Sequence, residues 1–235
     1  MTVPIISTKL HIPPLPQALV SRARLTARLE AGAQGRCILV SAPAGFGKTA
    51  LLAEWAHQCS EACQVCWVHL DESDNEPVRF VSYLIAALQT HQQDLGEAAL
   101  SGLQSIAPAP IEAALGSLIN EIDASDSDLI LILDDYHQID TPAIHMAVGF
   151  LIEHLPEHMC LVIGTRTDPS IPIHRLRARG QITEIRVEDL RFSREETRRY
   201  LEGILGDQFS SSDIANLDSR IEGWIAGLQM VALSI

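Results

Sequence analysis

The sequence predicts an α/β fold of three layers, in which a parallel sheet is covered by helices on both faces. Short apolar runs alternate along the chain with segments whose apolar residues recur at helical spacing. The runs also lack the polar alternation of a half-exposed strand, and strands that are apolar on both faces are typical of parallel sheets buried on both sides. A chain of 235 residues, 47% of them hydrophobic, is large enough to enclose such a sheet.

The elements can be assigned in order along the chain. We expect five strands, at 36–42, 64–71, 129–135, 160–166 and 181–187. We expect helices around and between them at 19–32, 48–58, 77–92, 110–123 and 142–155. In the first helix Leu25 and Leu29 lie four residues apart on one face, and Gly32 marks its end. Alternating strands and helices of this kind predict a doubly wound sheet.

The pattern changes after about residue 190, where strands cease. Segments 193–206, 211–223 and 224–235 are all helical in character, and Ser193 with Glu196 three residues later forms a capping-box signal. We therefore divide the chain into an N-terminal segment with its first helix (1–35), a core (36–190) and the start of a helical arm (191–235). Because the sequence stops within an apolar helix, we expect it to be a piece of a longer protein.

Composition excludes several classes of function. A formal net charge of −13 opposes a nucleic-acid-binding face, which needs a basic surface. No apolar run is long enough to cross a bilayer, and the N-terminus does not resemble a secretory signal. Five cysteines, an odd number, suit reduced thiols in a cytoplasmic protein, and Cys59, Cys63 and Cys66 have no second ligand pair that would suggest zinc.

The stretch SAPAGFGKTA, which follows the first strand and precedes a helix, carries the main chemical signal. It departs from the P-loop pattern G-x-x-x-x-G-K-[ST] only at its first position, Ala42. A glycine-rich turn at a helix N-terminus aims N–H groups at an anion, with Lys48 for the β- and γ-phosphates and Thr49 for Mg²⁺. The alternative is a strand–turn–helix junction with a chance GKT. The predicted phosphate-binding residues are Ala44, Gly45, Phe46, Gly47, Lys48, Thr49 and Ala50.

Two further strand ends complete the predicted site and make the core a P-loop NTPase. The apolar run LILILDD ends in adjacent acids, of which Asp134 suits Mg²⁺ and Asp135 suits orientation or deprotonation of the attacking water. The alternative is an ordinary strand end followed by a turn. Arg166, at the end of the fourth strand, suits contact with a γ-phosphate, and its alternative is a surface pair with Asp168.

Taken together, these residues resemble the nucleotide-binding domain of MalT-like, LuxR-family transcriptional regulators, which belong to the STAND class of signal-transduction ATPases. The resemblance covers nearly the whole chain and includes SAPAGFGKTALLAEW, WVHLDESDNEPVRFVSYLIAAL, LILDDYHQI, TRTDPSIPIHRLRARGQITEIRVEDLRFS and EGWIAGLQM. It implies that Val20 and Arg22 lie near the adenine. Related proteins carry a glycine–proline motif where this chain has EGWIAGLQ, so no contact residue is assigned at 222–228.

The resemblance implies a switch that binds ATP or ADP with Mg²⁺ and resets by slow hydrolysis. It implies self-association in the ATP state, and a parent regulator whose winged-helix, sensor-repeat and DNA-binding domains lie outside this chain. We expect no direct contact of this chain with nucleic acid or membrane. Two alternatives stay open, a conventional P-loop ATPase or kinase and a nucleotide-binding module without hydrolysis. For His137 we favour a packing role, and for the basic stretch 174–180 a solvated helix.

Overall fold

A five-stranded parallel sheet forms the centre of the molecule. The computed structural model describes residues 4–59, 63–105, 109–125, 127–206 and 211–234, with the main chain alone at 211–213. The strands are β1 (Cys37–Ser41), β2 (Gln64–His69), β3 (Leu129–Asp134), β4 (Met159–Thr165) and β5 (Ile182–Ile185). Their order across the sheet is β2-β3-β4-β1-β5, and every neighbouring pair is parallel. The fold predicted from the sequence is confirmed.

Helices join and cover the strands. They are α1 (Ala23–Ala33), α2 (Lys48–Cys59), α3 (Pro77–Leu88), α4 (Glu97–Leu103), α5 (Ile111–Asp123), α6 (Pro142–His154), α7 (Ile173–Ala178), α8 (Val187–Leu190), α9 (Arg194–Leu205), α10 (Ser211–Ile221) and α11 (Ile225–Leu233). The short helices α4 and α8 were not expected, whereas α7 falls on the basic stretch 174–180 for which a helix was favoured. The last strand ends at Ile185, two residues before the predicted end at 187. The Arg186 amide donates to the Asp189 side chain, and this bond caps the start of α8.

The alternation of strand residues divides the core into two layers. Cys37 and Leu39 of β1 face one layer with α3 to α7, whereas Ile38 and Val40 face the other layer with α1 and α2. Both sets are fully buried, which is why the strands read as continuous apolar runs. Burial on both faces fixes the register of the sheet, and with it the position of each strand end.

A third apolar cluster joins α9, α10 and α11, centred on Phe192, Leu201 and Leu228. The capping box that begins α9 is present: Ser193 N donates to Glu196 at 2.8 Å, and Glu196 N donates to Ser193 Oγ at 3.2 Å. The ends of the predicted arm helices at 206–211 and 235 fall partly outside the described residues. The domain boundaries at 35 and 190 stay predictions.

The sheet order places three strand ends side by side. β4 lies between β1 and β3, so Ser41 pairs with Thr165 and Leu133 pairs with Ile163 at the carboxyl edge. Ligands of open α/β sheets bind outside this edge. Among the described residues, no helix combines the length and the apolar character that a bilayer crossing requires.

Candidate functional site

The loop between β1 and α2 has the backbone geometry of an anion cradle. Gly45 and Gly47 have φ values of +84° and +76°, which L side chains rarely adopt. The loop ends at Lys48, the first residue of α2, so the positive end of the helix faces the same space. Ala42 replaces the first glycine of the pattern without conflict, because its methyl group is buried in the core layer under α2.

Lys48 lies across the mouth of this loop. Its Nζ donates to the carbonyl oxygens of Ala42 at 2.8 Å and Pro43 at 3.1 Å, and the side chain is only 7% exposed. Burial lowers the pKa of Lys48, against the opposing effect of the carboxylates of Asp135 and Asp134. The ammonium group therefore stands beside the cradle with donors held by two weak acceptors. A phosphate would be a stronger, charged acceptor for the same group.

Thr49 and Asp134 are brought together from positions 85 residues apart. Thr49 Oγ1 donates to Asp134 Oδ2 at 2.9 Å, and Asp134 is fully buried. Its other oxygen, Oδ1, has no hydrogen-bond partner among the described residues and lies against Gly164, where a Cβ would come within 2.9 Å. A buried carboxylate with a free oxygen beside a hydroxyl is a donor set that suits Mg²⁺. The residues present fit this ion.

Asp135 stands next to the metal-binding candidate in an unusual conformation. It has φ +56°, and its side chain is 27% exposed at the carboxyl edge of the sheet. His69, at the end of β2, has Nδ1 3.7 Å from Asp134 Oδ2 and 3.9 Å from Asp135 Oδ2. The Asp134 carboxylate raises the pKa of His69. His69 was not predicted, although its position at the end of the neighbouring parallel strand was available from the sequence.

His137 and Arg166 border the same edge. Both ring nitrogens of His137 are buried and lack hydrogen-bond partners among the described residues, and burial lowers its pKa. The side chain of Arg166 is exposed, and its charge contributes to lowering the pKa of Lys48 and of His137. The alternative partner for Arg166 is engaged elsewhere, because Asp168 is held by Arg186 and Arg177.

In the basic stretch 174–180, two arginines form ion pairs with acids of this chain. Arg177 contacts Glu184 and Asp168, and Arg175 contacts Glu153 at 3.3 Å. Each of these arginines is exposed to solvent. These contacts fit the solvated helix favoured from the sequence.

A cavity of about 490 Å³ opens beside the loop, between the N-terminal segment, α2 and the helical arm. Of the predicted nucleotide-binding residues, it is lined by Val20, Arg22, Gly45, Gly47 and Ala50. The remaining predicted residues do not line this cavity: Ala44 is exposed, and Phe46 packs against the core layer under α2. Thr49 is bonded to Asp134, and the charge of Lys48 interacts with those of Asp135 and Asp134. The cavity is apolar over most of its arm side, where Phe192, Tyr200 and Ile204 line it.

Arg22 lines the cavity and also has a structural role. Its guanidinium donates to the carbonyl oxygens of Asp189, Leu190 and Arg191 at 2.9 to 3.1 Å, and to Glu196 at 3.3 Å. It also lies 5.2 Å from the centre of the Phe192 ring. Arg22 therefore ties the N-terminal segment to the start of the arm, and contact with a base stays a prediction.

Comparison with known proteins adds to this geometry. The sequence profile of the AAA ATPase domain matches residues 21–163, which is more than half of the chain. This chain belongs to the AAA ATPase domain family. The matched region of this AAA ATPase domain contains the loop at 42–49 and the two acids at the end of β3, Asp134 and Asp135.

Similar proteins extend the comparison beyond that region. The HTH-type transcriptional regulator MalT of Yersinia pestis (strain Pestoides F) is 39% identical over 232 residues, and MalT of Yersinia enterocolitica is 36% identical over 230 residues. The matches cover 98% of this AAA ATPase domain chain and 25% of each regulator. The chain thus spans about a quarter of the length of these relatives.

Solved structures share the fold of this AAA ATPase domain. A STAND protein with a tetratricopeptide repeat sensor from Pyrococcus horikoshii has a TM-score of 0.69 and 16% identity, covering 93% of this chain and 30% of that one. Cdc6p from Pyrobaculum aerophilum has a TM-score of 0.59 and 14% identity, covering 98% and 66%. At these identities the likeness concerns the fold alone.

The arm of this AAA ATPase domain touches the loop at 42–49 directly, which the sequence did not predict. Trp224 Nε1 donates to the carbonyl oxygen of Ala44 at 3.0 Å, and the Ala226 amide donates to that of Gly45 at 3.0 Å. Ile225 lies over Gly47, where a Cβ would come within 2.8 Å of its Cδ1. The segment EGWIAGLQ therefore contacts the loop without the proline of the related motif, through an indole and a main-chain amide.

Proposed function

We propose that this chain is the ATP- or ADP-binding switch module of a signal-responsive transcriptional activator, in which slow ATP hydrolysis resets the active state. The observation that carries this proposal is the pair of hydrogen bonds from Trp224 and Ala226 to the loop at 42–49. The arm holds the same loop that would receive the phosphates. Any change in that loop on binding or loss of a nucleotide then changes the contacts of the arm.

The residues have separate roles in this proposal. Gly45, Gly47 and the N-terminus of α2 receive the phosphates, and Lys48 transfers its hydrogen bonds from loop carbonyls to them. Thr49 and Asp134 hold Mg²⁺, which when bound neutralises charge on the phosphates. Asp135 orients or deprotonates the attacking water, and Arg166 contacts the γ-phosphate, which is absent from ADP. Ala44, Phe46 and Ala50 complete the proposed phosphate-binding site. Val20 and Arg22 lie on the adenine side.

A ligand shifts a conformational equilibrium only by its difference in affinity for the two states. In the proposed switch, ADP favours the closed arrangement with the arm bonded to the loop, and ATP favours an open arrangement that self-associates. Each arm hydrogen bond contributes about 0.5–1.5 kcal/mol. Two such bonds, with the packing of Ile225, match the few kcal/mol over which two-state switches operate.

The similarity to MalT regulators supports the assignment to transcriptional regulation. By that similarity, the sensor and DNA-binding functions reside in other parts of the parent regulator, and this chain has no direct contact with nucleic acid or membrane. We place the parent protein in the cytoplasm, in keeping with five free cysteines.

Two measurements test the proposal. The first is the identity of the nucleotide released when the purified protein is denatured, which we expect to be ADP or ATP. The second is turnover with ATP and Mg²⁺, which we expect to be far slower than in a conventional P-loop ATPase or kinase. Rapid hydrolysis by the isolated chain would favour that conventional enzyme instead.

Asp135 separates the switch from a binding module without hydrolysis. Because Asp135 has φ +56°, asparagine, which tolerates this conformation, is a better substitution than alanine. Asp135→Asn should bind ATP normally and lose the residual hydrolysis. If hydrolysis and nucleotide release are the same as in the wild type, the second acid is structural and the module does not use it for reset.

A further inference from the structure

Glu54 is a buried acid with an unpartnered oxygen atom. It lies in α2 with 4% of its surface exposed, and it lines the 490 Å³ cavity beside the phosphate loop. Its Oε2 atom is fully buried and has no hydrogen-bond partner among the described residues. The charge of Glu54 acts on the Arg22 guanidinium, where it partly offsets the lowering of the Arg22 pKa by burial. Burying a carboxylate in this way is costly unless a donor meets it. Among the described residues, no donor compensates for the burial of this oxygen.

Other buried acids show how this chain normally satisfies a carboxylate. Asp74 is fully buried but is bonded to Lys9 and Arg79. Within the described part of the chain, the buried carboxylate oxygens that lack a partner belong to Asp134 and Glu54. Asp134 lies at the phosphate end of the site, and Glu54 lies in the wall of the cavity. Both unpartnered acids therefore border the same candidate site.

The position of Glu54 determines which part of a nucleotide it would meet. It follows Lys48 by six residues, or about 9 Å along the helix axis. It shares a helix face with Ala50, four residues earlier, and both line the cavity. A carboxylate would repel phosphate, so it belongs beside the uncharged half of the molecule. There the apolar side chains of Val20, Phe192 and Tyr200 line the cavity and suit a flat ring.

Resting on the proposed nucleotide-binding function, we propose that Glu54 accepts a hydrogen bond from a donor on the nucleoside and so determines nucleotide specificity. An ionised carboxylate only accepts hydrogen bonds, so it selects a ligand that presents N–H or O–H. An adenine nucleotide offers two kinds of donor at this end, the exocyclic amine of the base and the ribose hydroxyls. Both have the same chemistry toward Glu54, and analogues that lack one of them tell the two apart.

Three proteins and four ligands form the test. The wild type, Glu54→Leu and Glu54→Gln are titrated by calorimetry, in Mg²⁺, with ADP, purine riboside diphosphate (which lacks the amine), 2′-deoxy-ADP and 3′-deoxy-ADP. We expect Glu54→Leu to bind ADP about tenfold or more weakly, the range for a hydrogen bond to a charged group. Glu54→Gln keeps an acceptor of the same shape and should bind ADP close to the wild-type level.

The analogues separate recognition from a structural effect. The analogue that lacks the contacted donor should bind equally to the wild type and to Glu54→Leu, whereas ADP should distinguish them. Equal ADP affinity for the wild type and Glu54→Leu would overturn the inference. An equal loss of affinity for all four ligands in Glu54→Leu would also overturn it. A folded wild type that binds none of the four would instead refute the proposed function itself.

Stability provides an independent readout of the free protein. Because Glu54→Leu removes an unpartnered buried carboxylate, its thermal midpoint without nucleotide should equal or exceed that of the wild type. ADP should raise the midpoint of the wild type more than that of the variant. A variant with a lower midpoint in the absence of nucleotide would show that Glu54 supports the fold, and would contradict the assignment.

Discussion

The indole nitrogen of Trp224 donates a hydrogen bond to the carbonyl oxygen of Ala44, at 3.0 Å and across 180 residues of chain. The bond links the first residue before α11 to the loop that follows β1. Because the acceptor is the main chain of the loop, the bond depends on the loop's conformation rather than on a side chain. The arm is thereby coupled to the loop backbone that is proposed to bind the phosphates.

Trp224→Phe should speed nucleotide release. Phenylalanine keeps an aromatic ring but removes the donor to Ala44, so one bond of about 0.5–1.5 kcal/mol is lost and ADP should dissociate about two- to tenfold faster. Release of a fluorescent ADP analogue measures this rate. Trp67→Phe is the matched control, because the Trp67 indole nitrogen is buried without a partner in β2. Equal release rates for the two variants would contradict the coupling.

Gly45→Ala should both destabilise the chain and separate the arm from the loop. At φ +84° a side chain costs about 1–2 kcal/mol, and its Cβ would lie 2.5 Å from Trp224 Nε1 and 2.6 Å from Ala226 Cβ. Thermal unfolding and susceptibility of the arm to protease measure the two effects. Gly116→Ala, in α5 with no atom within 4 Å of the added Cβ, should leave the arm protected and raise stability slightly.

Asp134→Asn should remove the Mg²⁺ dependence of nucleotide binding. Asparagine can still accept the hydrogen bond from Thr49, but it lacks the charge that holds the ion. In the wild type, chelation of Mg²⁺ should weaken ATP binding by about tenfold or more, the usual range for perturbing a metal site. The variant should bind ATP equally with and without Mg²⁺. A full Mg²⁺ effect in Asp134→Asn would place the ion elsewhere.

Arg166→Ala should weaken ATP binding and leave ADP binding unchanged. The guanidinium is exposed, and its proposed contact is to the γ-phosphate, so the loss should be about tenfold for ATP alone. Calorimetry with ADP and with a non-hydrolysable ATP analogue measures the difference. Arg179→Ala removes another exposed arginine, the residue that follows α7, and serves as the control. An equal loss of affinity for both nucleotides would contradict a contact of Arg166 with the γ-phosphate.

Acid should weaken the contact between Glu184 of β5 and Arg177 of α7. The hydrogen bond from Arg177, and further contacts from Arg186, lower the pKa of Glu184 from 4.5 to about 2. A lowered folded-state pKa contributes stability above the unfolded value, and this contribution is lost as pH falls from 4.5 toward 2. The group is partly exposed, so the effect should be below about 1 kcal/mol.

The measurement is chemical unfolding of the wild type and Glu184→Gln between about pH 6 and pH 3. The two proteins should differ most at pH 6 and converge as the pH falls. Glu153→Gln, which removes an exposed carboxylate paired with Arg175, controls for the loss of a surface charge. A difference that is constant over the range would show that ionisation of Glu184 does not contribute.

Much of the fold could be predicted because it follows from local pattern. Strands β1 to β4 read as apolar runs, and α9 begins where Ser193 and Glu196 predict it. The short helix α8 was missed because its start depends on a single side chain, Asp189, that accepts from the Arg186 amide. A four-residue helix carries no periodicity for the sequence to display.

The residues of the candidate site also divide into those that the sequence could predict and those that it could not. Lys48, Thr49 and Asp134 belong to motifs with fixed spacing, so their convergence at one sheet edge was predictable. Trp224 and Glu54 were not, because neither belongs to such a motif. The contact of Trp224 depends on how the arm packs against the loop, and the significance of Glu54 depends on which neighbours it lacks. Both are properties of tertiary packing that the linear sequence does not contain.

The decisive experiment is calorimetric titration of the folded chain with ADP and Mg²⁺, alongside Lys48→Met. We expect saturable binding at one site for the wild type, weakened by removal of Mg²⁺ and lost in Lys48→Met, because the proposed phosphate site is the loop at 42–49. Titrations without heat for a folded wild type, or undiminished binding by Lys48→Met, would contradict this proposed site.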